Sequence, residues 1–264
     1  MYLTPLFLGL PTVCVVAFVA LPLLAIVLKV LPQEHLWATI SAPLVTEALR
    51  LSLLTSLSSL VIAIVCGTPV AYLLARYRFR GLRLVETLID LPMVLPPTVA
   101  GVALLMAFGR RGLIGPWLQA VGLQLSFSTT AVVLAQCFVC LPFYIRAAQA
   151  GFRSVDPELE RVAHTLGVSV WRTFFRVTVP LAFPALLSGS VMAWARALGE
   201  FGATMMFAGN LRGRTQTMPL AIYLALESDL LAAMVLAALL ILVSCSVLLC
   251  LRALVRRGEP AAYA

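Results

Sequence analysis

Residues 156–180 read DPELERVAHTLGVSVWRTFFRVTVP, a charged amphipathic insert between two long apolar runs. Asp156 suits a helix N-cap, with Pro157 at the first helical position and Glu158 and Glu160 beside the positive helix end. Gly167 suits the terminating position, so the spacing predicts a helix of about ten residues. Leu159, Val162, Ala163 and Leu166 fall at i, i+3, i+4 and i+7, an apolar stripe beside a charged face carrying Glu158 and Arg161. Ser169 is placed to cap a second short helix, in which Trp171, Phe174 and Phe175 share one face and Arg172 and Arg176 another. Two short helices meeting at a glycine form a knob. It suits two roles equally: a grip for a partner outside the bilayer, or a hairpin lying on lipid headgroups.

Composition places the insert in its context. Of 264 residues, 62% are hydrophobic and only 11% charged, which excludes a soluble globular domain and identifies an integral membrane protein. The formal charge of +8 does not point to nucleic acid, because the basic residues sit in short clusters at the ends of apolar runs. Runs long enough to cross ~30 Å of hydrocarbon occur six times, over about 6–30, 51–75, 85–108, 129–150, 181–207 and 230–251. They make one transmembrane domain over 1–264, all-α, with about six spans. The first run has no basic residue before Lys29 and reads as a retained span rather than a cleaved leader. Across alternate connections one side receives twelve Lys and Arg and the other six, with Arg196 left inside the fifth span. That bias puts both termini and the insert in the cytoplasm.

Several kinds of chemistry are poorly supported. The six cysteines (Cys14, Cys66, Cys137, Cys140, Cys245, Cys250) lie in spans, and the Cys137-x-x-Cys140 pair lacks a second pair or a nearby His. His35, in an outer loop, and His164, in the insert, accompany no nucleophile motif. A phosphate-binding loop needs a glycine-rich turn ending in Lys, and the sole lysine, Lys29, follows Leu28. No metal, cofactor or catalytic residue is expected in this chain.

Within the spans two features stand out. In the third, Pro92, Pro96 and Pro97 free backbone carbonyls beside Thr98, as in either a broken helix next to a cavity or an ordinary kink. In the fifth, Ala185, Gly189, Ala193 and Ala197 make a face for close helix approach, and Ser188, Met192, Arg196 and Glu200 form the adjacent row. Arg196 and Glu200, four apart, read either as a structural ion pair or as pore-lining groups. The polar run 212–217 suits an outer mouth, a receiving surface or a solvated loop.

From Arg161 the spacing of Ala163, Gly167, Val177 and Val179-Pro180 resembles the E-A-A-x3-G-x9-I-x-L-P loop of ABC importer permeases. It departs from that pattern at Arg161, where the family has Glu, at Val162 for the first Ala, and at both valines. The segments LPMVLPPTVAG (91–101), GRRGLIG (109–115), RALGEFGATMMFAGN (196–210) and GRTQTMPLAIY (213–223) are similar to permeases of the molybdate type, a likeness covering about 47–223. The resemblance implies a cytoplasmic two-helix coupling insert before the fifth span, in which Leu159, Arg161, Val162, Ala163, His164, Leu166, Gly167 and Val168 dock on an ATPase. It also implies a pathway or gate drawn from Pro96, Pro97, Thr98, Ser188, Arg196 and Glu200. The implied partners are a second permease copy, two cytoplasmic ATPase subunits that bind ATP and Mg, and an extracytoplasmic oxyanion-binding protein. The expected setting is a bacterial or archaeal cytoplasmic membrane, with import of molybdate or tungstate by alternating access. A sulfate or thiosulfate ABC permease is the alternative, followed by an ion-coupled secondary transporter relying on Glu200 and Asp90, or a membrane anchor that merely recruits an ATPase.

Overall fold

Hydrocarbon offers no hydrogen bonds to a backbone, so the apolar runs satisfy their own N–H and C=O groups as helices. The computed structural model describes residues 4–33 and 36–258, with side-chain surroundings for 9–33 and 36–249. His35 lies outside the described residues, as do the side chains of Cys250, Arg252, Arg256 and Arg257. In chain order the helices are α1 (Thr4–Val30), α2 (Leu36–Ile40), α3 (Pro43–Arg76), α4 (Leu82–Val94), α5 (Pro97–Phe108), α6 (Gly115–Ala120) and α7 (Thr129–Ser154). After these come α8 (Pro157–Thr165), α9 (Val170–Thr173), a π-helical turn (Phe174–Thr178), α10 (Val179–Leu198), α11 (Gly202–Ala208), α12 (Met218–Ser228) and α13 (Leu230–Gly258). Among the described residues five helices are long and apolar enough to cross a membrane, and the pair α4–α5 makes a sixth span if the two are taken together. The chain is an all-α, multi-pass membrane protein.

Three boundaries differ from the sequence expectation, each for a local reason. The run 85–108 is two helices bent by 118° at Leu95–Pro96. Consecutive prolines remove two amide donors, and the backbone at both positions turns extended. The run 181–207 likewise divides, with α10 ending at Leu198 and α11 starting at Gly202. The second helix of the insert is not separate, because α9 continues through the π turn into α10, making one apolar rod from Val170 to Leu198.

The core is built on small residues. A Cβ added at Gly189 of α10 would sit 2.7 Å from Cβ of Ala147 on α7, and Ala182, Ala193 and Ala197 are buried along the same face. With little hydrophobic drive between helices in lipid, such close backbone approach is what packing there depends on. Helices α3, α7 and α10 share this cluster through Ala63, Leu74, Tyr144, Ile145 and Phe152. A second cluster joins α5, α7 and α11 through Leu104, Val132, Val139 and Phe207. Helix α1 rests on α13 through Val30, Val235 and Ala238, leaving Phe18, Leu21 and Leu28 exposed for lipid.

Candidate coupling insert and pathway

The insert begins as its residue types dictate. The Asp156 carboxylate accepts from the Glu158 amide at 2.9 Å, capping α8. Gly167 ends it at φ +78°, a left-handed conformation that lets the Val168 amide donate to the Ala163 carbonyl at 3.0 Å. Of the apolar stripe only Ala163 is buried. Leu159, Val162 and Leu166 are 46%, 54% and 77% exposed, and Val170, Trp171 and Phe175 continue the open surface. Arg161, His164 and Gly167 are exposed and Val168 is half-buried. The docking candidates other than Ala163 and Val168 thus share a free apolar surface rimmed by charge. Arg161 pairs only with Glu158, one turn away on the same helix, and both are solvated.

What the spacing did not reveal is Glu160, on the opposite side of α8. Its Oε1 accepts from Arg76 Nη2 at 2.8 Å, Arg76 Nε at 3.2 Å and Thr178 Oγ1 at 2.8 Å, and its Oε2 accepts from the Tyr72 hydroxyl at 3.3 Å. Arg76 also donates to the Val155 carbonyl at 3.0 Å. Beneath this group Tyr72, Phe152 and Phe174 meet with ring centroids 5.0–5.9 Å apart. A second ionic group lies nearby. Arg146 of α7 donates to Asp90 through Nε at 2.6 Å, to the Gln149 amide oxygen at 2.7 Å and to Glu86 at 3.4 Å, and Arg153 also reaches Glu86 at 3.3 Å. The insert end of broken helix α4 is therefore bound to α7. Asp90, one of the two acids an ion-coupled transporter would rely on, is part of this group.

The two helix breaks meet in space. A Cβ at Gly202 would lie 2.7 Å from Cβ of Pro97 and 3.2 Å from the Thr98 nitrogen, so α5 and α11 start side by side. Pro96, Pro97 and Thr98 are exposed at this junction. Glu200 is fully buried: its Oε1 accepts from the Ala203 amide at 2.8 Å and its Oε2 meets Arg196 Nη1 at 2.8 Å, while the Arg196 side chain stays 31% exposed. The carboxylate thus sits at the positive end of α11 and the cation at the last turn of α10, both favourable to helix dipoles. Ser188 is not part of this junction. It lies two turns back along α10, on an exposed row with Met192, Ala195 and Gly199.

Two further regions depart from expectation. In the run 212–217, Thr215, Gln216 and Thr217 are buried, and Thr215 Oγ1 closes a tight turn by donating to the Gly209 carbonyl and accepting from the Leu211 amide. Only its first part is open, where Arg212 pairs with Glu47 at 3.3 Å. A polar seam also runs down α3. Ser52, Thr55, Ser56 and Ser59 are buried, with Ser59 Oγ reaching the Val133 carbonyl at 3.1 Å and Ser52 Oγ accepting from the Met218 amide at 2.6 Å. Its signal, Ser and Thr at helical spacing in LSLLTSLSS, was present in the sequence. Cys137 and Cys140 are buried, and among the described residues no group of His, Cys, Asp or Glu could hold a metal ion.

Known proteins similar to this chain are numerous. The chain is 47% identical over 245 residues to the molybdenum transport system permease protein ModB of Mycobacterium tuberculosis, covering 93% of this chain and 92% of that one. It is 36% identical to the probable transport system permease protein NifC of Clostridium pasteurianum (97% and 90% covered). To the molybdate/tungstate transport system permease protein WtpB of Pyrococcus abyssi it is 42% identical (73% and 73%). The fold matches a permease chain of a bacterial ABC transporter that imports the acidic polysaccharide alginate, with a TM-score of 0.75, 16% identity and 95% and 94% of the chains covered. It also matches one of the inward-facing methionine transporter MetNI, with a TM-score of 0.65, 15% identity and 86% and 99% covered. The family model described as "Binding-protein-dependent transport system inner membrane component" matches residues 67–258, from the middle of α3 through the insert and both breaks into α13, and the chain belongs to that family.

Proposed function

We propose that this chain is the membrane subunit of an ATP-driven importer that passes molybdate or tungstate to the cytoplasm by alternating access. Support for the substrate comes from relatives named for molybdenum and for molybdate/tungstate transport. The observation that carries the coupling is the insert itself: an α8 whose apolar side is open while its inner side is ionically bound to the spans. Helix α8, which lies outside the candidate spans, has no reason to leave Leu159, Val162 and Leu166 open unless a partner covers them.

The working unit is a homodimer of this chain with two cytoplasmic ATPase subunits, which bind ATP and Mg, and an extracytoplasmic oxyanion-binding protein. Both termini and the insert face the cytoplasm. Leu159, Arg161, Val162, Ala163, His164, Leu166, Gly167 and Val168 form the docking surface. ATP-driven closure of the ATPases brings the two inserts together, the spans open outward to receive the oxyanion, and hydrolysis resets them. A tetrahedral dianion needs polar groups along its path without tight retention. Pro96, Pro97, Thr98 and Ser188 supply exposed backbone and hydroxyls for this, and Arg196 with Glu200 shapes the gate at the paired breaks.

The test is ATPase activity of the complex in vesicles. Molybdate-loaded binding protein is expected to stimulate it and sulfate-loaded protein is not. Equal stimulation by the two would replace the substrate, and loss of uptake on collapse of the ion gradient, with ATP present, would replace the energy source.

A further inference from the structure

We propose that Glu160 is the positioning residue through which displacement of the insert reaches both α3 and α10; the proposal rests on the ATP-driven reading above. A nine-residue helix is marginal on its own. Helix α8 buries only Ala163, and it is flanked by an extended residue, Asp156, and the left-handed Gly167. Pushed at Leu159, Val162 and Leu166, such a helix would swing about those ends and move little else.

One side chain prevents this. The Glu160 carboxylate gathers Arg76, the last residue of α3, Tyr72 one turn before it, and Thr178, the last residue of the π turn at the root of α10. Through Arg76 it also reaches the Val155 carbonyl at the end of α7. The Arg76 and Glu160 side chains are 11% and 12% exposed and Thr178 is fully buried, so the charge-assisted bonds are shielded and short. The π turn adds to the case, because the extra residue per turn it inserts places Thr178 against the carboxylate, and such turns recur at working sites. Arg161, next in sequence, faces outward, and among the described residues its ion pair is with Glu158 of the same helix. The inner glutamate carries force; the outer arginine belongs to the docking surface.

The test uses the complete complex in vesicles, with one spin label on exposed Thr165 of α8, which is not among the docking residues, and another on exposed Phe183 of α10, measured before and after vanadate trapping. In the wild type both labels are expected to move. In Glu160→Ala the insert label moves and the α10 label lags, and molybdate uptake per ATP hydrolysed falls by about tenfold or more. Glu160→Gln, which keeps an acceptor for Arg76 and Thr178, restores part of that ratio. Thr178→Val, nearly isosteric and still able to fold if Glu160→Ala is not, removes only the link to α10 and lowers the ratio severalfold. A normal ratio with labels moving together in Thr178→Val or Glu160→Ala overturns the proposal. So does a loss of uptake that merely follows the amount of folded complex. A wild-type complex in which vanadate moves neither label overturns the ATP-driven reading, and the role given to Glu160 with it.

Discussion

Glu160 and Glu200 are both withdrawn from solvent and both meet an arginine at 2.8 Å, yet they organise the chain on different scales. Glu200 works locally. Its arginine is four residues back and its amide donor three residues on, so the group shapes one break and bonds no distant element. Glu160 binds Arg76 and Thr178, which are 84 and 18 residues away in sequence. A local pair of this kind lets the segment beyond it, α11, keep its own axis. A long-range pair makes the insert, α3 and the root of α10 one body. The same chemical pair therefore shapes a chain break at one end and ties three elements together at the other.

The largest effect is expected at the long-range pair. Arg76→Ala leaves the Glu160 carboxylate shielded and without its cation, a loss of about 3–5 kcal/mol in denaturation of the purified permease. Adding Glu160→Ala should recover part of that loss, since the orphaned charge is gone, and strict additivity would break the comparison. Arg196→Gln comes next, at about 2 kcal/mol, because Glu200 loses its cation but keeps the Ala203 amide. Gly202→Ala probes the same junction sterically: a Cβ 2.7 Å from Pro97 should cost about 1–2 kcal/mol by forcing α5 and α11 apart, measured in the same melts. Smallest of all is Arg161→Ala. Its exposed pair with Glu158 is worth under about 0.5 kcal/mol, so a stability change beyond that would show that Arg161 has a partner within the chain.

Much of this was legible before any coordinates. Asp156, Pro157 and Gly167 act through bonds to residues two to five positions away, and α8 begins and ends where they predict. The close face of α10 followed from small residues every four positions, while the adjacent prolines before α5 allowed either a kink or the break that the structure shows. The insert's second helix starts directly after Ser169 as its sequence suggests, but nothing at its far end stops it, so it runs through the π turn into α10 instead of ending before the span. The run 212–217 was misjudged because polar residues suggest solvent, whereas Thr215 spends its hydroxyl on the turn itself.

By itself the sequence determined the compartment, the helices and the amphipathic insert, since apolar length, helical period and capping act over a few residues. Only the tertiary structure decided that Pro97 lies against Gly202 and that Glu160, not the residue beside it, joins the insert to the spans. The Pro97–Gly202 and Arg76–Glu160 contacts close loops of about a hundred residues, and which distant groups meet depends on how whole helices pack rather than on any spacing along the chain.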